Sequence, residues 1–291
     1  MKDARWERSC APPPHRNVRP GRDDFSGSGM TARSVADFLG RRKNMLSKER
    51  IVRQGNWLFR WRSYLPLVLV SVMIPVFWEF HYLFDSHTFD LVWELVCLGL
   101  SFFGLIIRAY TVGHVPRGTS GRNTKAGQIA ESLNTTGIYS LLRNPLYLGN
   151  FFMMLGVILC LHSIWLCLFF SLLYWVYYER IVCAEEEFLT QKFGQEYLDY
   201  AEQTPAFVPS FRHWKPSALP FSWKTVLRRE YCGLLGMVSS FFALELITDA
   251  IVQRRLVFDV VWIVLFALAL LTFLVLRTLK KHTRLLEVDG R

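Results

Sequence analysis

None of the six cysteines stands at Cys-x-x-Cys spacing, no two of the seven histidines stand at His-x-x-x-His, and only 20% of the residues are charged. The missing ligand spacings argue against a metal centre. Four of the cysteines (Cys97, Cys160, Cys167 and Cys183) lie in or against apolar stretches, where a thiol acts as a small apolar filler. With Cys10 and Cys232 they imply neither disulfides nor zinc. The scarcity of charge goes with long uncharged runs in a chain that is 52% hydrophobic and 15% aromatic. A soluble protein of 291 residues would alternate short apolar and polar stretches instead. The net charge of +10 sits in flanks beside the apolar runs. That placement is an orientation signal for membrane spans and excludes a nucleic-acid surface.

Residues 1–62 are polar and basic, with Pro12-Pro13-Pro14 and Ser26-Gly27-Ser28-Gly29, and have too little apolar content to fold alone. They contain no apolar core of signal-peptide type. Met30 opens the first helical pattern, so translation is expected to start there and residues 1–29 to be an over-called extension. The stretch 31–62 fits either a basic amphipathic helix on the membrane surface or a solvated juxtamembrane tail.

Residues 63–291 read as an all-α, polytopic membrane domain. Six spans are expected at about Tyr64–Phe84, Asp90–Val112, Leu146–Leu161, Ser163–Tyr178, Cys232–Ile251 and Phe258–Leu276. The third and fourth are short and joined at His162-Ser163, which makes them a tight hairpin. Basic residues of the N-terminal flank, of the stretch after the second span and of the tail after the sixth (Lys280, Lys281, Arg284) fall on one side, expected to be cytoplasmic. After the fourth span a cytoplasmic helix is expected over Glu185–Gln203, with Gly194 inside it at modest cost. Trp57, Trp61, Trp175, Trp214 and Trp223 suit interfacial positions.

Two polar clusters flank the hairpin. In the first, Arg143-Asn144-Pro145-Leu146-Tyr147-Leu148-Gly149, Pro145 suits the first turn of a helix and Asn144 suits its N-cap. The exposed N–H groups of that helix start, with Arg143, form an anion site. Gly149 allows close approach of a helix or a ligand. A capped helix with a snorkelling arginine accounts for the same residues. In the second cluster Glu185 and Glu186 point about 100° apart on a helix. One would orient Arg143 while the other accepts hydrogen bonds from a ligand; dipole-favoured acids are the plainer account. Arg108, toward one end of the second span, suits either snorkelling or contact with an anion, and Glu94 and Glu245 are expected nearer the opposite side.

Gly137-Ile138-Tyr139, the Arg143–Gly149 block, Glu185-Glu186, Leu189, Phe193-Gly194, Tyr197, Tyr200, Pro205 and Pro209 together resemble the isoprenylcysteine carboxyl methyltransferase family over about residues 134–211. Phospholipid N-methyltransferases are more distant relatives. The resemblance implies that Arg143, Asn144, Pro145, Tyr147, Gly149, Glu185 and Glu186 bind S-adenosylmethionine. Asn144 stands where the family usually has His, which removes a potential cation but keeps a hydrogen-bonding group. The stretch from Gly113 to Lys125 is unlike prenylcysteine enzymes and looks like a bacterial subgroup that methylates the 1-phosphate of lipid A. In that reading Arg117, Arg122 and Arg108 neutralise the anionic acceptor. The implied protein is an inner-membrane enzyme that takes cofactor from the cytosol and a lipid substrate from the bilayer. Prenylcysteine carboxylate or another phospholipid remain alternative acceptors. The rivals of another class are a nicotinamide-dependent, sterol-type reductase and a non-enzymatic scaffold.

Overall fold

The computed structural model describes residues 50–58, 75–77, 80–82, 84, 86–116, 122–124, 127–256 and 258–291. Six helices dominate: α1 (His87–His114), α2 (Pro145–Leu159), α3 (Ile164–Phe193), α4 (Gln195–Gln203), α5 (Trp223–Gln253) and α6 (Val260–His282). Of these, α1, α3, α5 and α6 are long and apolar enough to cross a bilayer, and α2 is a shorter apolar helix. The expected span Tyr64–Phe84 lies largely outside the described residues, as do Trp61, Met30 and residues 1–29.

The α2–α3 hairpin forms as expected. His162 turns the chain with a positive φ of 52°. Ser163 caps α3 by accepting from the Leu166 N–H at 3.3 Å. At about 1.5 Å per residue, the 15 residues of α2 reach about 22 Å, short of an apolar layer about 30 Å thick. α3 differs from the expectation of a short span followed by a separate helix. It runs unbroken for 30 residues, about 45 Å, so that Glu185 and Glu186 stand on the extension of a membrane helix. No breaker interrupts Ile164–Phe193. The break comes at Gly194 instead, where φ +56° and ψ −126° suit glycine alone and turn the chain into α4. The stretch after α1 holds a small antiparallel hairpin of β1 (Arg122–Thr124) and β2 (Gly127–Ile129), pairing Arg122 with Ile129.

α1 and α2 pack most closely, and small residues permit it. A Cβ on Gly104 would collide with the Gly149 carbonyl, and one on Gly156 with Ser101 Oγ and the Cys97 carbonyl. Ser101 Oγ donates to the Met153 carbonyl at 2.8 Å across the same seam. The core beside it holds Phe170, Phe241 and Trp262, with Phe241 and Trp262 stacked at 5.5 Å. Outward, Leu268, Leu271 and Leu274 of α6 and Ile164, Leu168 and Leu172 of α3 stay exposed at helical spacing, a face suited to lipid. Residues 50–58 are helical and cross α3 at Gly55, where a side chain would strike the Arg180 backbone. Cys97, Cys160, Cys167 and Cys232 are free thiols.

Candidate functional site

The two polar clusters meet at the end of the bundle where α2 begins. Pro145 occupies the first turn of α2, as its fixed φ favours. Asn144 sits at the N-cap but makes no side-chain cap; its amide donates to the Ala206 carbonyl at 3.2 Å. The reason is a parallel seam of backbone bonds, in which the Arg143 and Asn144 N–H groups donate to the Pro205 and Ala206 carbonyls at 2.9 and 3.2 Å. The proline-rich segment after α4 thereby lies against the start of α2.

Arg143 closes this arrangement. Its Nε donates to Glu186 Oε1 at 2.9 Å, and its Nη1 to the Ala201 and Thr204 carbonyls at 2.6 and 2.7 Å. One guanidinium therefore ties α3 to the C-terminal end of α4. The two side chains are only 12% and 9% exposed. Burial by itself lowers the Arg143 pKa; the charge and hydrogen bond of Glu186 together with Tyr197 and Tyr200 outweigh it, so the net displacement is upward and the guanidinium stays charged. No hydrogen bond from Nη2 is found among the described residues, which leaves donors for a ligand carboxylate.

Glu185 points elsewhere, as the 100° step requires. It accepts from the Tyr147 hydroxyl at 2.7 Å. Tyr147 lies against Tyr178 at 4.5 Å, Tyr178 stacks on Tyr174 at 4.2 Å, and the Tyr174 hydroxyl donates to the Tyr147 carbonyl at 2.6 Å. A carboxylate thus stands beside a wall of electron-rich rings, a surface that attracts cations. Tyr139 completes the enclosure: its carbonyl accepts from the Tyr200 hydroxyl at 2.7 Å, and burial, then Glu185, pushes its own phenol up. Burial also pushes the Tyr197 and Tyr200 phenols up, so all three stay protonated donors.

Two expected site residues behave differently. A Cβ on Gly149 would stand 2.6 Å from Arg108 Cγ and 2.8 Å from the Gly104 carbonyl, so this glycine serves helix packing. Arg108 neither snorkels nor stands free. It donates from Nε and Nη2 to Glu230 of α5 at 2.8 and 2.9 Å, and from Nη1 to Asn150 of α2 at 2.6 Å. This bidentate pair joins three helices. Glu230 and Asn150 had no signal beyond being polar residues near apolar spans. Arg122 lies in β1, and Arg117 falls outside the described residues.

Residues 95–196 match the family model described as phospholipid methyltransferase. The match covers about a third of the chain. The matched residues hold most of α1, the small β-hairpin, α2, α3 and the start of α4, and so both halves of the Arg143–Glu186 pair. The chain is similar to the nickel-cobalt-cadmium resistance protein NccN of Alcaligenes xylosoxydans xylosoxydans, with 37% identity over 29% of this chain and 39% of that one. It is similar to the protein-S-isoprenylcysteine O-methyltransferase of Schizosaccharomyces pombe, with 35% identity over 26% and 33% of the two chains. It is also similar to the cobalt-zinc-cadmium resistance protein CzcN of Cupriavidus metallidurans, with 30% identity over 45% and 62%. The matched region spans from about a third to under two thirds of the length of these relatives. No solved structure matches. The loop that supplies the Pro205 and Ala206 carbonyls, together with α5 and α6, lies beyond the matched residues.

Proposed function

We propose that this protein is an S-adenosylmethionine-dependent integral-membrane O-methyltransferase that acts on an anionic lipid head group. The observation that carries the reading is the Arg143–Glu186 ion pair, which joins two motif blocks 43 positions apart into one enclosure. The groups around it suit the methyl donor. Its ammonium and sulfonium match Glu185 and the Tyr147 and Tyr178 rings, and its carboxylate matches Arg143 Nη2 and the positive end of the α2 dipole. The relatives named as isoprenylcysteine O-methyltransferases support methyl transfer over the sterol-type reductase or a scaffold.

When bound, S-adenosylmethionine supplies a methyl group on a cationic sulfur, open to in-line attack by oxygen. A phosphate or carboxylate oxygen is already anionic at neutral pH, so the protein needs no general base. Its residues have to align the two reactants and exclude water. Glu185 and its tyrosines hold the donor's positive end, while the Arg143–Glu186 pair keeps the wall of α3 in register with α2. Arg122 and Arg117 neutralise the acceptor. Arg108, engaged by Glu230, positions α1, α2 and α5 and drops out of that role. The site faces the cytosol and the lipid enters laterally from the bilayer, in a bacterial inner membrane.

Within the anionic lipids, the 1-phosphate of lipid A suits the glycine-rich basic stretch Gly113–Lys125. A prenylcysteine carboxylate fits the site equally well, and the named relatives favour it. Mass spectrometry of lipids from cells with and without the gene tests the choice. A one-methyl mass increase on an anionic lipid supports the proposal. Methylation of a prenylcysteine peptide alone, with the lipids unchanged, replaces the acceptor. Binding of NADPH in place of S-adenosylmethionine rejects methyl transfer altogether.

A further inference from the structure

At the opposite end of the bundle from the Arg143–Glu186 pair, the helices bury a second group of acids. Asp90 and Glu94 of α1 and Glu245 and Asp249 of α5 are at most 4% exposed. Within each pair the spacing is four residues, so both acids of a pair lie on one helix face. Asp259, at the N-cap of α6, joins them from the third side. Burying carboxylates costs several kcal/mol each unless a counter-charge is near. For Glu245, Asp249 and Asp259 the ion-pairing partner found among the described residues is His87. Its Nε2 lies 3.6 Å from Glu245 Oε1, 3.9 Å from Asp249 Oδ2 and 4.0 Å from Asp259 Oδ2.

These separations are longer than hydrogen bonds. They approach the spacing of donor atoms that share an ion, about 3.4 Å for four ligands at about 2.1 Å in tetrahedral array. His87 Nε2, a Glu245 oxygen and an Asp259 oxygen all lie within 4.8 Å of one another. Asp249 adds the independent observation. The residue is 0% exposed. Its Oδ1 accepts from the Tyr82 hydroxyl at 2.6 Å, while its Oδ2 has no hydrogen-bond partner and points at His87. A buried carboxylate oxygen without a donor calls for a cation. The surroundings hold these groups still. Gln253 donates to the Tyr82 hydroxyl at 2.9 Å, Tyr82 meets the His87 ring edge-on, and Trp262 Nε1 donates to Glu94 Oε2 at 2.8 Å beneath the cluster.

We propose that His87, Glu245 and Asp259, with Asp249 behind them, form a binding site for a divalent transition-metal cation of the zinc and cobalt class. One imidazole among carboxylates favours such ions over Mg2+ and Ca2+, which take oxygen ligands alone, and the lack of sulfur disfavours Cu(I). The ion would staple the start of α1, the end of α5 and the start of α6. Entry is open because the His87 side chain is 37% exposed and the Asp259 side chain 15%. The site stands apart from the proposed methyl-transfer enclosure, and its test does not depend on that function.

The test titrates Co2+ into the chelator-stripped full chain in lipid nanodiscs and follows visible absorption. The expected result is saturation at a single ion per chain, displacement by Zn2+ and none by Mg2+. His87→Ala and Asp259→Asn alter the accessible rim, and each is expected to weaken Co2+ binding at least tenfold while the stripped variants melt at the wild-type temperature. Added Zn2+ should raise the Tm of the wild type and not of either variant. Absence of saturable Co2+ uptake by the wild type, or wild-type affinity in both variants, overturns the proposal.

Discussion

Replacing Arg143 or Glu186 by alanine is the most discriminating perturbation. The pair is nearly buried, and the arginine also satisfies two carbonyls at the end of α4. Removing either member leaves an uncompensated buried charge, at a cost of about 3–5 kcal/mol. Arg143→Ala additionally strands the Ala201 and Thr204 carbonyls and belongs at the upper end of that range. Glu186→Gln keeps an acceptor for Arg143 Nε but loses the charge, and should cost about 1–3 kcal/mol. The double variant Arg143→Ala/Glu186→Ala removes both charges together, so its cost should fall about 2–3 kcal/mol short of the sum. Denaturant unfolding in mixed micelles gives the four free energies, and calorimetry with S-adenosylmethionine gives the accompanying loss of binding. Glu185→Gln supplies the contrast: it keeps an acceptor for the Tyr147 hydroxyl and loses the charge offered to the donor, so affinity should fall more than stability. Additive single costs, or single costs under about 1 kcal/mol, would refute the clamp.

Gly149→Ala should destabilise the fold by about 1–3 kcal/mol, because its methyl group meets an arginine already held by Glu230 and Asn150; a thermal midpoint equal to wild type would contradict that packing role. Tyr147→Phe removes the hydroxyl that holds Glu185, so cofactor affinity should drop about tenfold, or about 1.4 kcal/mol, by isothermal titration. Unchanged affinity would separate Glu185 from the donor site. Arg122→Ala should slow lipid turnover more than it weakens S-adenosylmethionine binding, and equal losses in the two assays would reject the division between acceptor and cofactor residues.

Some of this protein is determined along the chain itself. Composition and run length place α1, α3, α5 and α6 as membrane-crossing helices, since a bilayer admits long uncharged helices and little else. Pro145 starts α2 because its ring forbids an earlier helical hydrogen bond, and the neighbouring acids had to diverge because successive helical residues do. Which of the two acids meets Arg143 was open along the chain; the fold gives that place to Glu186 and turns Glu185 to Tyr147. What the chain meets in space decided the rest. Gly194 was expected to be absorbed into a helix; its positive φ instead sets the direction of α4 and so the position of the carbonyls that Arg143 needs. Arg108 suited either snorkelling or an anion until α5 brought Glu230 to it, 122 positions away. Gly149 left room for either a helix or a ligand, and Gly104 of α1 takes that room. His87 and Asp259 carry no metal-ligand spacing, and only the packing of α1, α5 and α6 sets them around Glu245 and Asp249. Local rules act within a turn or two of helix, whereas ion pairs and close approaches join residues whose separation along the chain carries no trace of their distance.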